Sequence, residues 1–328
     1  MTTPPIDRCL GKRGLAIRTR TQHLFCMRLY VFVPLVAVCC LVGLSLPGQA
    51  QDSARRGGVA GAQRAVPGTA PATVQAESET PVRVSYAAYA AGLQIAAVDA
   101  AFQLRPETYR VELALRTTGV VGWLIRTQTL TTVDGNWRAN RPAPLQFLSQ
   151  GEMRGQPRLS LIDYRQGQPL VRQLIPPNET EREPVPPELQ ANSVDSLSAM
   201  ADLVQVVRRT GGCEGTTRVF DGRRASDVTV RTVGEEIVPP STRSVFTGPA
   251  LRCDFVGQMV AGFWLDADRN AGQKPMKGSA WLANSLPGAP SGGTKLPVRI
   301  TFESRWLGDV TLYLTEAAAD QDRRVVVR

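Results

Sequence analysis

Four carboxylates, Glu152, Asp163, Asp227 and Glu303, lie in stretches that alternate like β-strands. A pair of them is the main route to catalysis that this composition leaves open. Two carboxylates hydrolyse a glycosidic bond when they flank it at about 5–10 Å. Nothing in the spacing along the chain brings two of these together, and each alternates with apolar neighbours as a solvent-facing residue does. The one histidine, His23, lies near the N-terminus. Without it there is no Ser-His-Asp or Cys-His site, no histidine base and no histidine metal ligand. A further candidate is "VFDGRRASDVTV", Val219 to Val230, in which two arginines follow a tight-turn signal. It reads as a hairpin tip, with an anion-binding loop as the alternative. Asp221-Gly222 turns between strands 216–220 and 223–233, with Val228 and Val230 inward and Asp227, Thr229 and Arg231 outward. One of Arg223 and Arg224 then pairs with Asp221 while the other stays solvated.

His23 belongs to a segment that differs from the rest. Residues 1–50 are basic from Arg8 to Arg28, uncharged from Leu29 to Leu46, and end in the small-residue exit Pro47-Gly48-Gln49-Ala50. That order is an export signal. Met27 is an alternative start, and an uncleaved signal anchor in the inner membrane is an alternative fate, because eighteen apolar residues approach a membrane span. The whole chain carries a formal charge of +9, but removing the six Lys/Arg and one Asp of residues 1–50 leaves 32 basic and 28 acidic side chains, a net of +4. Of six cysteines only Cys213 and Cys253 remain. In an oxidising compartment two cysteines make one disulfide, whereas a zinc site needs about four ligands. The expectation is a periplasmic monomer that uses no cofactor and no metal and is not an enzyme. A modest charge and the absence of a basic helix exclude nucleic acid as a partner.

Residues 51–81, rich in Ala, Gly and Pro, show no apolar period and read as a disordered linker. Strands follow from Val82. "ETYRVELALRT" puts Tyr109, Val111, Leu113 and Leu115 on one face, the pattern of a half-buried antiparallel strand. Strand 127–133 ends in an Asp134-Gly135 turn, and 145–151, 158–165 and 170–175 come next. The Pro-rich run 176–190 is a surface loop. One helix then appears, with Asp195 as N-cap and Leu197, Met200, Ala201, Val204 and Val207 on one face. The remaining strands are 216–220, 223–233, 243–256, 259–266, 278–283, 296–304 and 308–315. Residues 316–328 read as a flexible tail. One helix against about a dozen antiparallel strands gives a mostly β, single-domain fold over 82–315. The sheet is a strongly bent antiparallel meander, a half-barrel wrapped over one central helix. Closure into a full barrel is the alternative.

Several segments taken together, "YAAYAAGLQIAAVDAAFQL", "YRVELALRTTGVVGWL", "DSLSAMADLVQ", "VFDGRRASDVTV" and "LPVRITFESRWLGDVTLYL", resemble in that order the exported bacterial domain-of-unknown-function family 3108. The resemblance spans most of residues 82–315; the stretch 270–294 departs from it as a loop insertion. It implies a periplasmic β protein without an assigned activity, similar in fold to the curved-sheet carriers of lipoprotein localisation. It carries no catalytic residues over, and fold does not fix function.

The best binding surface in the sequence is the apolar set Val120, Val121, Trp123, Leu124 and Ile125 with Phe263, Trp264 and Trp306. Either these line a concavity for a lipid or acyl chain, or they fill the core beneath the helix. Gly119 and Gly122 would let the first cluster move as a flap. The function expected is therefore non-catalytic binding of a hydrophobic or lipidic ligand or an envelope component. The alternative is an envelope-assembly protein with a plugged sheet that docks a protein partner, and a carboxylate-based hydrolase is the remote one.

Overall fold

The computed structural model describes residues 81–266, 268–288, 295–304 and 307–319, all of them within one compact unit. The expected export signal, all but the last residue of the expected linker, Trp306 and residues 320–328 lie outside the described residues. Thirteen strands run along the chain: β1 (Val82–Ala90), β2 (Leu93–Leu104), β3 (Thr108–Thr117), β4 (Thr127–Arg138), β5 (Arg141–Met153), β6 (Gln156–Arg165), β7 (Gln168–Ile175), β8 (Gly215–Phe220), β9 (Ala225–Val238), β10 (Gly248–Ala261), β11 (Met276–Ala283), β12 (Leu296–Ser304) and β13 (Gly308–Ala319). The helices are α1 (Gly119–Leu124), α2 (Pro187–Gln190), α3 (Ser196–Thr210) and α4 (Arg269–Gly272).

All thirteen strands form one antiparallel sheet in the order β7-β6-β5-β4-β3-β2-β1-β13-β12-β11-β10-β9-β8. The chain thus starts at β1 in the middle, winds out to the β7 edge, crosses by way of α3 to the β8 edge, and winds back in to β13 beside β1. Bulges at Ser85/Tyr86, Ala88/Tyr89, Leu161/Ile162, Arg252/Cys253 and Trp281/Leu282 add local twist and coil the sheet. The concave face carries the core: Val84, Val98, Val111, Phe147, Ile162, Phe255, Leu282, Leu312 and Leu314 are buried. Alternate residues face outward and are mostly polar, as period two requires, with a small apolar cluster of Ala101, Ala114 and Leu130 among them.

Helix α3 lies in the bend. Its start is fixed by Asp195, whose carboxylate accepts from Leu197 N at 2.9 Å and Ser198 N at 2.8 Å. Its end is fixed by Gly211 in the left-handed region. Eleven of its fifteen residues are buried, so it is enclosed by the sheet on most of its circumference. It touches β3, β4 and β5 on one side and the edge strand β8 on the other. That is the bent half-barrel with a central helix. The fold is mostly β, as the alternation implied.

The details depart from the sequence reading in four places. Asp134-Gly135 is not a turn; β4 continues through it, and a Cβ on Gly135 would stand 2.2 Å from the Tyr109 ring, so the glycine makes room for that ring. The turn lies at Ala139-Asn140, both at positive φ. There is no separate strand 259–266: β10 runs to Ala261 and the chain then leaves the sheet. Residues 316–319 of the expected tail are the end of β13, paired with β1 from Ser85 to Val82. Three short helices, α1, α2 and α4, accompany the single long one. No helix among the described residues is long and apolar enough to cross a membrane.

Candidate functional site

The apolar stretch after β3 folds as α1. Thr118 N donates to Ile95 O at 2.9 Å, laying the helix back against the start of β2. A Cβ on Gly119 would meet Gln94 O at 2.7 Å, and one on Gly122 would meet Thr117 O at 2.9 Å. The glycines therefore serve close packing of helix on strand, not a hinge for a flap. Ile125 is buried and anchors the segment, with its carbonyl accepting from Thr117 Oγ1 at 2.9 Å. Val120, Trp123 and Leu124 sit at i, i+3 and i+4, hence on one face of the helix. That face is exposed: Val120 by 62%, Trp123 by 83% and Leu124 by 61%. Val121 is half-buried beside them, and Leu93, at the start of the neighbouring β2, is exposed as well. An apolar stripe that would normally seek the core here points to solvent.

Phe263 and Trp264 belong to another place. Along the sheet, β2, β1, β13, β12 and β11 stand between β3 and β10. After β10 the chain pairs with the segment that follows β7: Glu183 N donates to Phe263 O, Leu265 N donates to Glu181 O, and Arg182 bridges to Trp264. Phe263 is buried. The Arg182 guanidinium stacks 3.7 Å from the Trp264 ring centroid and donates to Gly262 O at 2.7 Å. Residues 176–195 are thus a strap, not a free surface loop. The apolar set from the sequence splits into an exposed stripe on α1 and an anchored strap beyond β10, while Trp306 lies outside the described residues.

The hairpin tip between β8 and β9 is the residue group that sequence reasoning placed wrongly. The turn spans Asp221 to Arg224 and lies inside the protein. Asp221 accepts from Arg223 N at 3.0 Å, Arg224 N at 2.9 Å and Arg224 Nε at 2.8 Å. Arg224 is buried. Arg223 is not solvated: its Nη2 donates to Ile175 O at 2.8 Å, Pro176 O at 2.9 Å and Leu159 O at 3.2 Å. Those carbonyls end β7 and begin β6, so one guanidinium ties the β8 edge to the β7 edge without a strand ladder. Glu181 stands close by and takes a bidentate pair from Arg158 at 2.5 and 2.7 Å. Burial alone would push the Asp221 carboxyl up, but Arg224, Arg182 and the two backbone N–H groups hold it below its usual value. Burial and the neighbouring Arg224 pull Arg182 down to about 9. Four arginines around two carboxylates in the fold's interior are a structural clamp.

The strand carboxylates face outward, and three of the four have an arginine partner of their own among the described residues. Asp163 takes Arg172 at 2.7 Å, Glu152 takes Arg126 at 2.7 Å and Asp227 takes Arg218 at 2.7 Å. Glu303 is exposed. They sit on β6, β5, β9 and β12 and form no pair. No group of three or more metal-ligating side chains occurs among the described residues.

Residues 83–315 match the family described as "Protein of unknown function (DUF3108)". The chain belongs to that family. No curated protein matches this DUF3108 chain. A solved structure similar to it is the "Beta-barrel-like Protein of Domain of Unknown Function DUF1849 from Brucella abortus", at a TM-score of 0.45 and 13% identity over 74% of this chain and 98% of that one.

Inside the DUF3108 domain two acidic groups on or beside α3 are buried. Asp195 is raised to about 6, chiefly by burial, although Ser198 donates to it from backbone and side chain. Ser198 Oγ is in turn 2.7 Å from the Tyr109 hydroxyl, and burial raises Tyr109 as well. Asp202 is raised to about 7 by burial, which Arg141 and Arg209 only partly offset, and its Oδ1 has no hydrogen-bond partner. A carboxyl whose folded pKa lies above its unfolded one stabilises the fold at low pH and loses that contribution as pH rises through the folded value. Stability is therefore expected to fall between about pH 4 and pH 7. Asp202→Asn should flatten that slope and raise the thermal midpoint at pH 8, leaving a smaller slope of the same sign from Asp195. Melting curves from pH 4 to 8 check this; an unchanged slope would remove Asp202 from the account.

Proposed function

We propose that this is an exported, non-catalytic binding protein of the cell envelope, and that it meets a hydrophobic or lipidic partner through α1 on its rim and not through its concave face. One observation carries the reading: Val120, Trp123 and Leu124 form an apolar stripe turned to solvent on a helix held rigid by Ile125 and two close-packed glycines. Tryptophan flanked by aliphatic side chains suits the boundary between headgroup and acyl chain. Burying the three side chains is worth about 5 kcal/mol. That gives reversible contact, of the order of a single acyl anchor. The disulfide between Cys213 and Cys253 agrees with export.

The expected result is that protein purified without residues 1–50 co-floats with phosphatidylcholine vesicles, and that Trp123→Ser with Leu124→Ser abolishes flotation without changing the thermal midpoint. Failure of the unsubstituted protein to float, or flotation by the double variant, would refute it. A second reading, an envelope-assembly protein docking a protein partner, is favoured by the burial of α3, which fills the bend of the sheet. It predicts a stoichiometric protein complex that withstands detergent.

A further inference from the structure

The convex face of β10, β11, β12, β13 and β1 carries a row that register sets side by side: Arg252 stands opposite Trp281, Trp281 opposite Arg299, and Arg299 opposite Tyr313. These side chains stack. The Arg252 and Arg299 guanidinium carbons lie 5.5 and 5.1 Å from the Trp281 ring centroid, one from each neighbouring strand. Arg299 also lies 5.7 Å from the Tyr313 ring, Tyr313 meets Tyr89 edge-on at 5.8 Å, and Arg243 covers Tyr89 at 4.4 Å. The result is a continuous ladder, Arg252–Trp281–Arg299–Tyr313–Tyr89–Arg243, on the side of the sheet away from α3.

The cations in the ladder are not equivalent. Arg252 is neutralised, by Glu236 at 3.0 Å and Asp254 at 2.8 Å. Glu236 also accepts from the Trp281 indole N–H at 2.9 Å, which fixes the ring. Arg299 has no such partner: among the described residues it makes no hydrogen bond and no ion pair, and its Nε is buried with its donor unused. Arg243 gives one N–H to Gly92 O at 3.2 Å and faces no carboxylate among the described residues. A guanidinium stacked flat on an aromatic ring keeps its N–H edges free, in the planar fork that receives phosphate or carboxylate oxygens two at a time. Arg299 and Arg243 bracket the Tyr313–Tyr89 pair, so the N–H groups they leave unused share one face.

We propose that this stripe is an oxyanion site, in which Arg299 and Arg243 receive the phosphate oxygens of an anionic ligand across the Tyr313–Tyr89 pair. The same chemistry is offered by a soluble phosphate compound and by a phospholipid headgroup, and the experiment separates them. Inorganic tripolyphosphate is titrated calorimetrically into the protein at low ionic strength. In parallel, flotation is compared on phosphatidylcholine vesicles with and without phosphatidylglycerol. Binding of tripolyphosphate alone assigns a soluble phosphate, and a gain from phosphatidylglycerol assigns the headgroup; both support the site.

In either arm Arg299→Gln should weaken binding at least tenfold and Arg243→Gln measurably, while Arg138→Gln, an exposed arginine at the end of β4, should leave it unchanged. Arg299→Lys keeps the charge without the fork and should recover only part. Trp123→Ser should not alter the tripolyphosphate result, which keeps this site distinct from α1. No binding in either arm, or equal losses in the Arg299 and Arg138 variants, overturns the proposal. Melting curves on each variant confirm the fold, and Arg243→Gln stands in if Arg299→Gln does not fold.

Discussion

Asp221→Ala should open the join between the two sheet edges and lower the thermal midpoint by about 6–20 °C. The estimate follows from what the carboxylate neutralises. Asp221 accepts two backbone N–H groups and pairs with Arg224, and Arg182 and Arg223 are also close enough to feel its charge. Removing one partner from a buried ion cluster leaves charge uncompensated, at a cost of about 3–5 kcal/mol. A domain of this size loses about 2–4 °C per kcal/mol. Asp221→Asn keeps an acceptor but not the charge, and should fall between.

The control is Asp227→Ala, six residues on, which removes an ion pair with Arg218 that both partners share with solvent. Its cost should stay under about 1 kcal/mol. Equal melting shifts for the two variants would mean that the tip is solvated after all. The clamp also matters for topology. β7 and β8 are the two edges of the sheet, and unpaired edges invite association with other chains. Arg223 on the carbonyls of Ile175 and Pro176, and the bridge of Val194 to Val219, cover part of each edge. The Asp221 variant should therefore aggregate on heating more readily than its loss of stability alone accounts for.

Local signals made the fold legible, and contacts distant in sequence hid the rest. Period two in Tyr109–Leu115, the Asp195 cap and the paired cysteines are features of a few residues each, and the structure realises them. The tip Asp221–Arg224 reads as surface because Asp, Gly and Arg are surface residues by type. What buries it are carbonyls 48 and 64 residues upstream, and no local pattern reports those. α1 is six residues long, under two turns, too short for a helical period to stand out from a strand-like run of Val, Trp, Leu and Ile. The apolar candidates were chosen by residue type alone, and which of them face solvent depends on how Gly119 and Gly122 seat the helix. The arginine–aromatic ladder needs four strand registers at once, and a bulge at Trp281/Leu282 shifts one of them. Strand Asp-Gly at 134–135 misled because the same dipeptide that favours a turn also clears space for a ring.

Replacing both Cys213 and Cys253 by serine should lower the midpoint by about 8–16 °C. The bridge closes a span of 40 residues, for which chain entropy gives about 4 kcal/mol, converted at about 2–4 °C per kcal/mol. Its place in the fold says where the loss appears. Cys213 follows the last turn of α3, its N–H donates to Thr232 Oγ1 at 2.8 Å, and Thr232 stands opposite Cys253 in the β9–β10 ladder. The disulfide thus holds the end of the central helix to one half of the sheet, while Ser198 and Tyr109 hold its start to the other half. In the double variant, hydrogen exchange should quicken first at Val206–Thr210, whereas the amides of Leu197 and Ser198, bonded to Asp195, keep their protection. Uniform loss along α3 would mean that the helix unfolds as one unit and the bridge acts on the unfolded chain alone. Because both cysteines are fully buried, the test is made on protein unfolded in denaturant, which should take up no alkylating reagent until it is reduced. Two modified thiols without reductant would show that the bridge is absent and would withdraw its support for export.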